Sequence, residues 1–187
     1  MDIEKIKIEL QKPIKKEDVA EREAGFGKSK LKYLESFFII QQANRIFGED
    51  NWSIEVKEVK ELGRTITKKQ VWKDKQKVYK DGLPVLEDNY EVLFASVVKV
   101  WVKDFGTRED VGSCGGSSKT SYLEASEIAY KGCVSDGMKR AFRTFGDQFG
   151  NSLYDKDFKF EEEKPAKPNV PDAIKAKPVY NNTYNKI

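Results

Sequence analysis

The 187-residue chain is 39% hydrophobic, 12% aromatic and 35% charged, with a formal net charge of +3. That balance suits one domain, or one domain with a tail, and excludes a membrane protein, a collagen-like chain and a wholly disordered one. Histidine is absent and Cys114 and Cys133 are the only thiols, which removes Ser-His-Asp triads, His-ligated zinc, haem and a disulfide framework.

The N-terminus, MDIEKIKIEL, has no signal-peptide core, so an intracellular protein is expected, in cytoplasm, nucleoid or nucleus, with no membrane partner. In the next stretch Ile3, Ile6 and Leu10 suit a helical face, while Ile6, Ile8 and Leu10 suit a strand; Pro13 ends either. Gly25 and Gly27 mark a turn. From about Leu31 to Phe47 the apolar spacing predicts a helix, stopped at Gly48. A strand begins at Trp52, and residues 62–89 read as a long, polar, basic hairpin. Tyr90 to Val102 is the plainest strand, with Val92, Phe94, Val98, Val100 and Val102 on one face. A turn at Asp104-Phe-Gly leads into a short strand near Thr107–Val111.

Charge comes in blocks. Between 64 and 80, Arg64, Lys68, Lys69, Lys73, Lys75, Lys77 and Lys80 face Asp74 alone. Residues 81–91 are purely acidic, with Asp81, Glu87, Asp88 and Glu91. Local blocks of this kind say more about partners than the net charge does.

The run Gly112-Ser-Cys-Gly-Gly-Ser-Ser-Lys-Thr invites a phosphate-loop reading, but that motif needs Gly directly before the Lys, where Ser118 stands. A flexible loop entering a helix is the better reading, and no nucleotide or other cofactor is expected. Residues 121–149 carry the longest helical pattern. Val134, Met138, Ala141, Phe142, Phe145 and Phe149 fall within roughly 100° of arc, and Lys139, Arg140 and Arg143 lie away from that stripe. The aromatic stripe is core. The cations read either as an ordinary solvated face or as a binding face. Two expectations favour the latter: that Arg140 and Arg143 have no acidic partner along the helix, and that Gly132 and Gly137 mark close backbone approach. After Asp157, Pro165, Pro168, Pro171 and Pro178 among mixed charges indicate a disordered tail. Two units are therefore expected, a domain over 1–160 and a tail over 161–187.

Taken together, these blocks resemble the Rad52/Rad22 family of single-strand annealing proteins. The likeness runs from about Arg22 to Phe158. Its strongest block is Asp136-Gly-Met-Lys-Arg-Ala-Phe-Arg-Thr-Phe-Gly-Asp-Gln-Phe-Gly-Asn, followed by Leu153-Tyr-Asp-Lys-Asp. Arg22-Glu-Ala-Gly-Phe-Gly, Tyr33-Leu-Glu, Ala43-Asn-Arg-Ile-Phe-Gly with Trp52, and Glu109-Asp-Val-Gly support it in the family's order. The resemblance implies an α+β fold, an antiparallel β-sheet packed on a long α-helix (a β-β-β-α core) with flanking helices. It also implies assembly into a ring or filament of identical copies, and annealing of single-stranded DNA without ATP or bond-making chemistry, so no enzyme. By motif, Arg22, Lys139, Arg140 and Arg143 would line the floor of a DNA groove. Lys119 joins them across a one-residue gap.

The 62–90 segment is longer than the family pattern. Its cations, among them Lys68, Lys69 and Lys73, are read as a second, outer DNA contact or a subunit contact. Trp72 is either an exposed base contact or a hairpin-packing residue. The tail is a candidate contact for a single-strand-binding protein, through Val179-Tyr180 or Tyr184, and its shortness argues against recombinase loading. The length fits a phage or bacterial member as well as a eukaryotic one. The alternative function is a non-annealing scaffold for recombination proteins. An ATP-dependent recombinase is disfavoured by Ser118, and an RNA-binding module would prefer A-form duplex.

Overall fold

The computed structural model describes residues 2–23, 30–155 and 157–160. The chain runs α1 (Ile3–Leu10), β1 (Ala20–Glu23), β2 (Lys30–Tyr33), α2 (Ser36–Phe47) and β3 (Trp52–Gln70). Four two-residue strands follow, β4 (Trp72–Lys73), β5 (Gln76–Lys77), β6 (Tyr79–Lys80) and β7 (Leu83–Pro84), then β8 (Leu86–Val102), β9 (Gly106–Ser118) and α3 (Tyr122–Arg143). The fold is α+β: β3, β8 and β9 form an antiparallel sheet in that order, and α3 lies on one face of it. No described helix is long and apolar enough to cross a membrane. The expected turn at Gly25 and Gly27 and the tail over 161–187 lie outside the described residues.

Alternation builds the central strand. Val92, Ser96, Val98, Val100 and Val102 of β8 are buried on the helix side, as the period-2 pattern requires. Ser96, the polar member of that row, donates its hydroxyl to the Cys133 carbonyl at 2.8 Å, so its burial leaves no group unsatisfied. Below it the core gathers Leu10 of α1, Phe38, Ile39 and Phe47 of α2, and Met138 and Phe142 of α3. Phe47 and Phe142 both pack on Phe149, and Trp52 meets the Phe142 ring edge-on at 5.4 Å. The indole N–H of Trp52 donates to Asn44, and the half-buried ring packs against the core.

Three expectations are corrected. Residues 31–33 belong to a strand, not to the following helix: Arg22 pairs with Leu31 and Ala20 with Tyr33, so α2 begins only at Ser36. The Gly112–Ser118 run is not a loop but the second half of β9, and the short strand near Thr107–Val111 is its first half. Its glycines serve the helix. A Cβ on Gly112 would fall 2.1 Å from the Cys133 carbonyl oxygen, and one on Gly116 would fall 1.8 Å from that of Ala125. Gly137 reciprocates from α3, where a Cβ would meet Val98 at 2.7 Å, and Gly132 sits against Cys114. Close backbone approach is thus the use of these glycines, as Gly132 and Gly137 suggested. Finally, α3 stops at Arg143, earlier than the 149 expected; Gly146 at φ 149° turns the chain so that Phe145 and Phe149 still reach the core.

Ser121 caps α3 by accepting from the Glu124 N–H, and the Glu124 carboxylate accepts from the Ser118 hydroxyl at 2.6 Å. Strand β3 carries two irregularities, at Val56/Glu58 and Glu61/Gly63, yet stays paired with β8 to Gln70–Leu86. Beyond that stem the hairpin divides. Strands β4 and β5 close through Asp74 and Lys75, both at positive φ, and β6 and β7 close through Asp81 and Gly82, likewise both positive. These are the backbone conformations of tight two-residue hairpin turns. At the fork three valines close a ring: Val71 N–H donates to Val85, Val85 to Val78, and Val78 to Val71, at 2.8–3.0 Å.

Candidate nucleic-acid interface

The last two turns of α3 place Lys139, Arg140 and Arg143 on one side of the helix, half-buried rather than fully solvated. What covers them comes from elsewhere in the chain. Strand β2 brings Tyr33, whose ring lies 5.2 Å from the Lys139 ammonium and 5.6 Å from the Arg22 guanidinium of β1. The short turn at Ser152–Tyr154 brings Tyr154, whose ring centre lies 4.1 Å from the Arg143 guanidinium. Cations over aromatic faces gain electrostatic attraction while keeping their N–H groups free for other partners. Arg22 of β1 is therefore gathered with Lys139, Arg140 and Arg143 of α3 into one cluster, with β2 and the Ser152–Tyr154 turn supplying its two tyrosines.

Arg140 corrects an expectation. Asp136, four residues earlier, accepts from its Nε at 2.8 Å, so an acidic partner along the helix does exist. That bond holds the guanidinium above its usual pKa. Asp136 also accepts from the backbone N–H of Ser113 at 3.1 Å, which ties the helix to the edge strand. The carboxylate occupies only Nε, leaving the two terminal nitrogens of Arg140 to donate. Tyr33 is fixed in turn by donating its hydroxyl to Glu35 at 3.0 Å, a bond that raises the phenol pKa. Among the described residues the cluster thus offers four cations against one carboxylate in direct contact, framed by two tyrosines. Such an array suits a chain of phosphates gripped without reading bases.

Lys119, Lys68, Lys69 and Lys73 are not brought to this cluster. Tyr122, at the start of α3, packs on Tyr90 with Arg64 over its ring, whereas Phe142 packs on Trp52 at the other end of the sheet. A helix of this length separates the two ends by roughly 30 Å. Lys119 lies just past β9 and pairs with Glu87, Lys68 pairs with Asp88, and Lys69 pairs with Glu91 at 2.9 Å. The basic 64–80 block and the acidic 81–91 block therefore meet across the hairpin, in the register that sets Lys68 opposite Asp88. Lys69 holds the Glu91 carboxyl below its ordinary pKa. Lys73 lies on β4, exposed and beyond these pairs.

Sequence reasoning missed the roles of Tyr33, Tyr154 and Asp136. The i−4 spacing of Asp136 from Arg140 was available in the sequence. Both tyrosines lie in blocks that carry the family resemblance, Tyr33-Leu-Glu and Leu153-Tyr-Asp-Lys-Asp, but nothing in the linear order places either beside α3.

The sequence model of the Rad52/22 family of double-strand break repair proteins matches residues 2–171. The chain is 35% identical over 153 residues to the DNA repair and recombination protein RAD52 of Kluyveromyces lactis, covering 82% of this chain and 30% of that one. It is 33% identical over 155 residues to RAD52 of Saccharomyces cerevisiae, covering 83% and 29%. Against the DNA repair and recombination protein rti1 of Schizosaccharomyces pombe it is 34% identical over 139 residues, covering 72% and 32%. The chain spans about a third or less of the length of these relatives. On the family match over most of its residues, the chain belongs to the Rad52/22 family of double-strand break repair proteins.

Proposed function

We propose that this chain binds single-stranded DNA and anneals complementary strands without ATP, as an assembly of identical copies acting in recombination and repair inside the cell. The observation that carries this reading is the convergence of Arg22, Lys139, Arg140 and Arg143 beside Tyr33 and Tyr154. Gripping phosphates releases counterions and supplies affinity without sequence preference, with a log–log salt slope of about −0.7 per phosphate for a single strand. If the backbone is held on the cation side, the base edges remain outward and are free to test a second strand. Platforms that stack every base would instead hide them.

Self-association is supported by apolar residues left uncovered on the sheet face opposite α3, with Val111 54% and Trp101 42% exposed. A second copy is the occupant proposed for that face. Contact between the tail and a single-strand-binding protein is a further part of the proposal, resting on the composition of residues 161–187 alone.

The test is fluorescence transfer between two end-labelled complementary oligonucleotides, without nucleotide, comparing the wild-type chain with Arg140→Ala/Arg143→Ala. Pairing accelerated by wild type and lost in the variant is the expected result. Tight binding with no acceleration would instead leave a coating or scaffolding protein. Equal acceleration by both proteins would remove the cluster from the mechanism.

A further inference from the structure

Strand β9 and helix α3 keep step with each other. A Cβ on Gly116 would strike the Ala125 carbonyl oxygen and the Ala129 nitrogen, and one on Gly112 the Cys133 oxygen and the Gly137 nitrogen. Four residues of strand therefore match eight of helix, as their rises of roughly 13 Å and 12 Å require. Continued by one more step, the series reaches Arg108, level with Ala141 and Phe145. There the close approach is over, because α3 ends at Arg143 and the Ala141 carbonyl is taken by the Thr144 hydroxyl. A long side chain fits where glycine was needed before. The Arg108 guanidinium fills that space, 5.1 Å from the Phe145 ring centre.

This brings Arg108 alongside the end of α3 that carries Arg140 and Arg143. At about 100° per residue, Arg140 lies between Lys139 and Gly137 around the helix, and Gly137 is the residue packed on β9. Asp110, two residues beyond Arg108 on the same face of β9, is near enough to Arg140 for its charge to help raise that guanidinium's pKa. The basic cluster thus has two walls: β1 and β2 with Arg22 and Tyr33 on the Lys139 side, and β9 with Arg108 on the Arg140 side. Arg108 is half-buried, yet it forms no ion pair with another described residue. One terminal nitrogen donates to the Thr107 carbonyl at 2.9 Å, which leaves most of its five N–H groups uncommitted. A partly desolvated cation without a carboxylate suits an anion arriving from outside. Arg143 on the Tyr154 ring shows the same arrangement.

We propose that Arg108 is a fifth phosphate contact of the single-strand site, set on the wall opposite Arg22, so that the DNA backbone crosses the end of α3 between β2 and β9. The proposal rests on the annealing reading and extends its site from the helix to the edge strand. A purely packing arginine would need only its stem on the Phe145 ring. A phosphate contact needs the charge.

The experiment is equilibrium binding of labelled oligo(dT) to the full chain across a salt series. Arg108→Met keeps an unbranched stem over Phe145 without the charge. It should lower the log–log salt slope by about 0.7 and weaken binding about fivefold at about 0.1 M salt, a difference that closes towards about 1 M. Arg108→Gln, also neutral, should behave as Arg108→Met does, so the result does not hang on the folding of one variant. Arg108→Lys should keep the wild-type slope. The reverse order, with Arg108→Met close to wild type and Arg108→Lys the weaker binder, would mean packing alone and would overturn the proposal. So would a loss of assembly mass by light scattering in the neutral variants at an unchanged slope, which would make Arg108 a contact between copies. If Arg140→Ala/Arg143→Ala abolishes annealing while both neutral variants keep the wild-type slope, only the Arg108 proposal falls. If wild type binds no oligo(dT) at all, the annealing reading falls with it.

Discussion

Asp136 shows how one side chain serves both the site and the fold. Its carboxylate accepts from Arg140 Nε and from the Ser113 N–H, so it sets the direction of the guanidinium proposed above to meet DNA and pins α3 to β9. The pair is about a third exposed at Asp136 and 40% at Arg140, so its ionic part is worth about 1 kcal/mol or less. The backbone bond adds a second contribution, because a Ser113 donor left without an acceptor costs about 1–2 kcal/mol. Asp136→Ala should therefore lower unfolding free energy by about 2 kcal/mol in urea titrations. Asp136→Asn, which keeps an acceptor oxygen for Ser113, should lose less than half of that. Equal losses would mean that Ser113 draws nothing from this residue.

At the scale of elements, the contact between α3 and β9 is made of glycine. Gly116 and Gly115 are neighbours with opposite environments: a Cβ on the first would enter the Ala125 carbonyl at 1.8 Å, while one on the second would find only Val92 O at 3.8 Å. Gly116→Ala should destabilise by about 3 kcal/mol or more, since backbone rather than a flexible side chain must give way. Gly115→Ala should change stability by about 0.5 kcal/mol or less. Thermal unfolding of the two variants checks the pair. This contact also marks the limit of what the sequence revealed. The alternation of β8 and the stripe on α3 were legible because each is a local period. A Gly- and Ser-rich strand resembles a loop until the helix that needs its missing side chains is placed against it. Leu31 fits a helix or a strand locally, and its pairing with Arg22 decides. Likewise the cations of α3 could be read off a helical wheel, but their tyrosine neighbours could not. The pairing of Lys68 with Asp88 needs the hairpin register, which composition does not contain.

For the molecule as a whole, the sheet has one face sealed by α3 and one face that still shows Val111, Trp101 and Leu93 to solvent. In a chain that works alone, replacing such residues with polar ones would change little. If copies associate through that face, Trp101→Gln/Val111→Gln should lower the mass measured by light scattering while leaving the circular dichroism spectrum intact. An unchanged mass would move the contact elsewhere. The valine ring at the fork carries a different lesson, about how such a molecule can change. Removing residues 78–84 would leave Val71 and Val85 to exchange both backbone bonds as an ordinary antiparallel pair, continuing the stem from Gln70 and Leu86. Adding another copy of the unit would enlarge the ring by one member. The hairpin can therefore gain or shed whole leaves as modules, altering how many aromatic fingers it extends while the sheet, α3 and the basic cluster keep their registration.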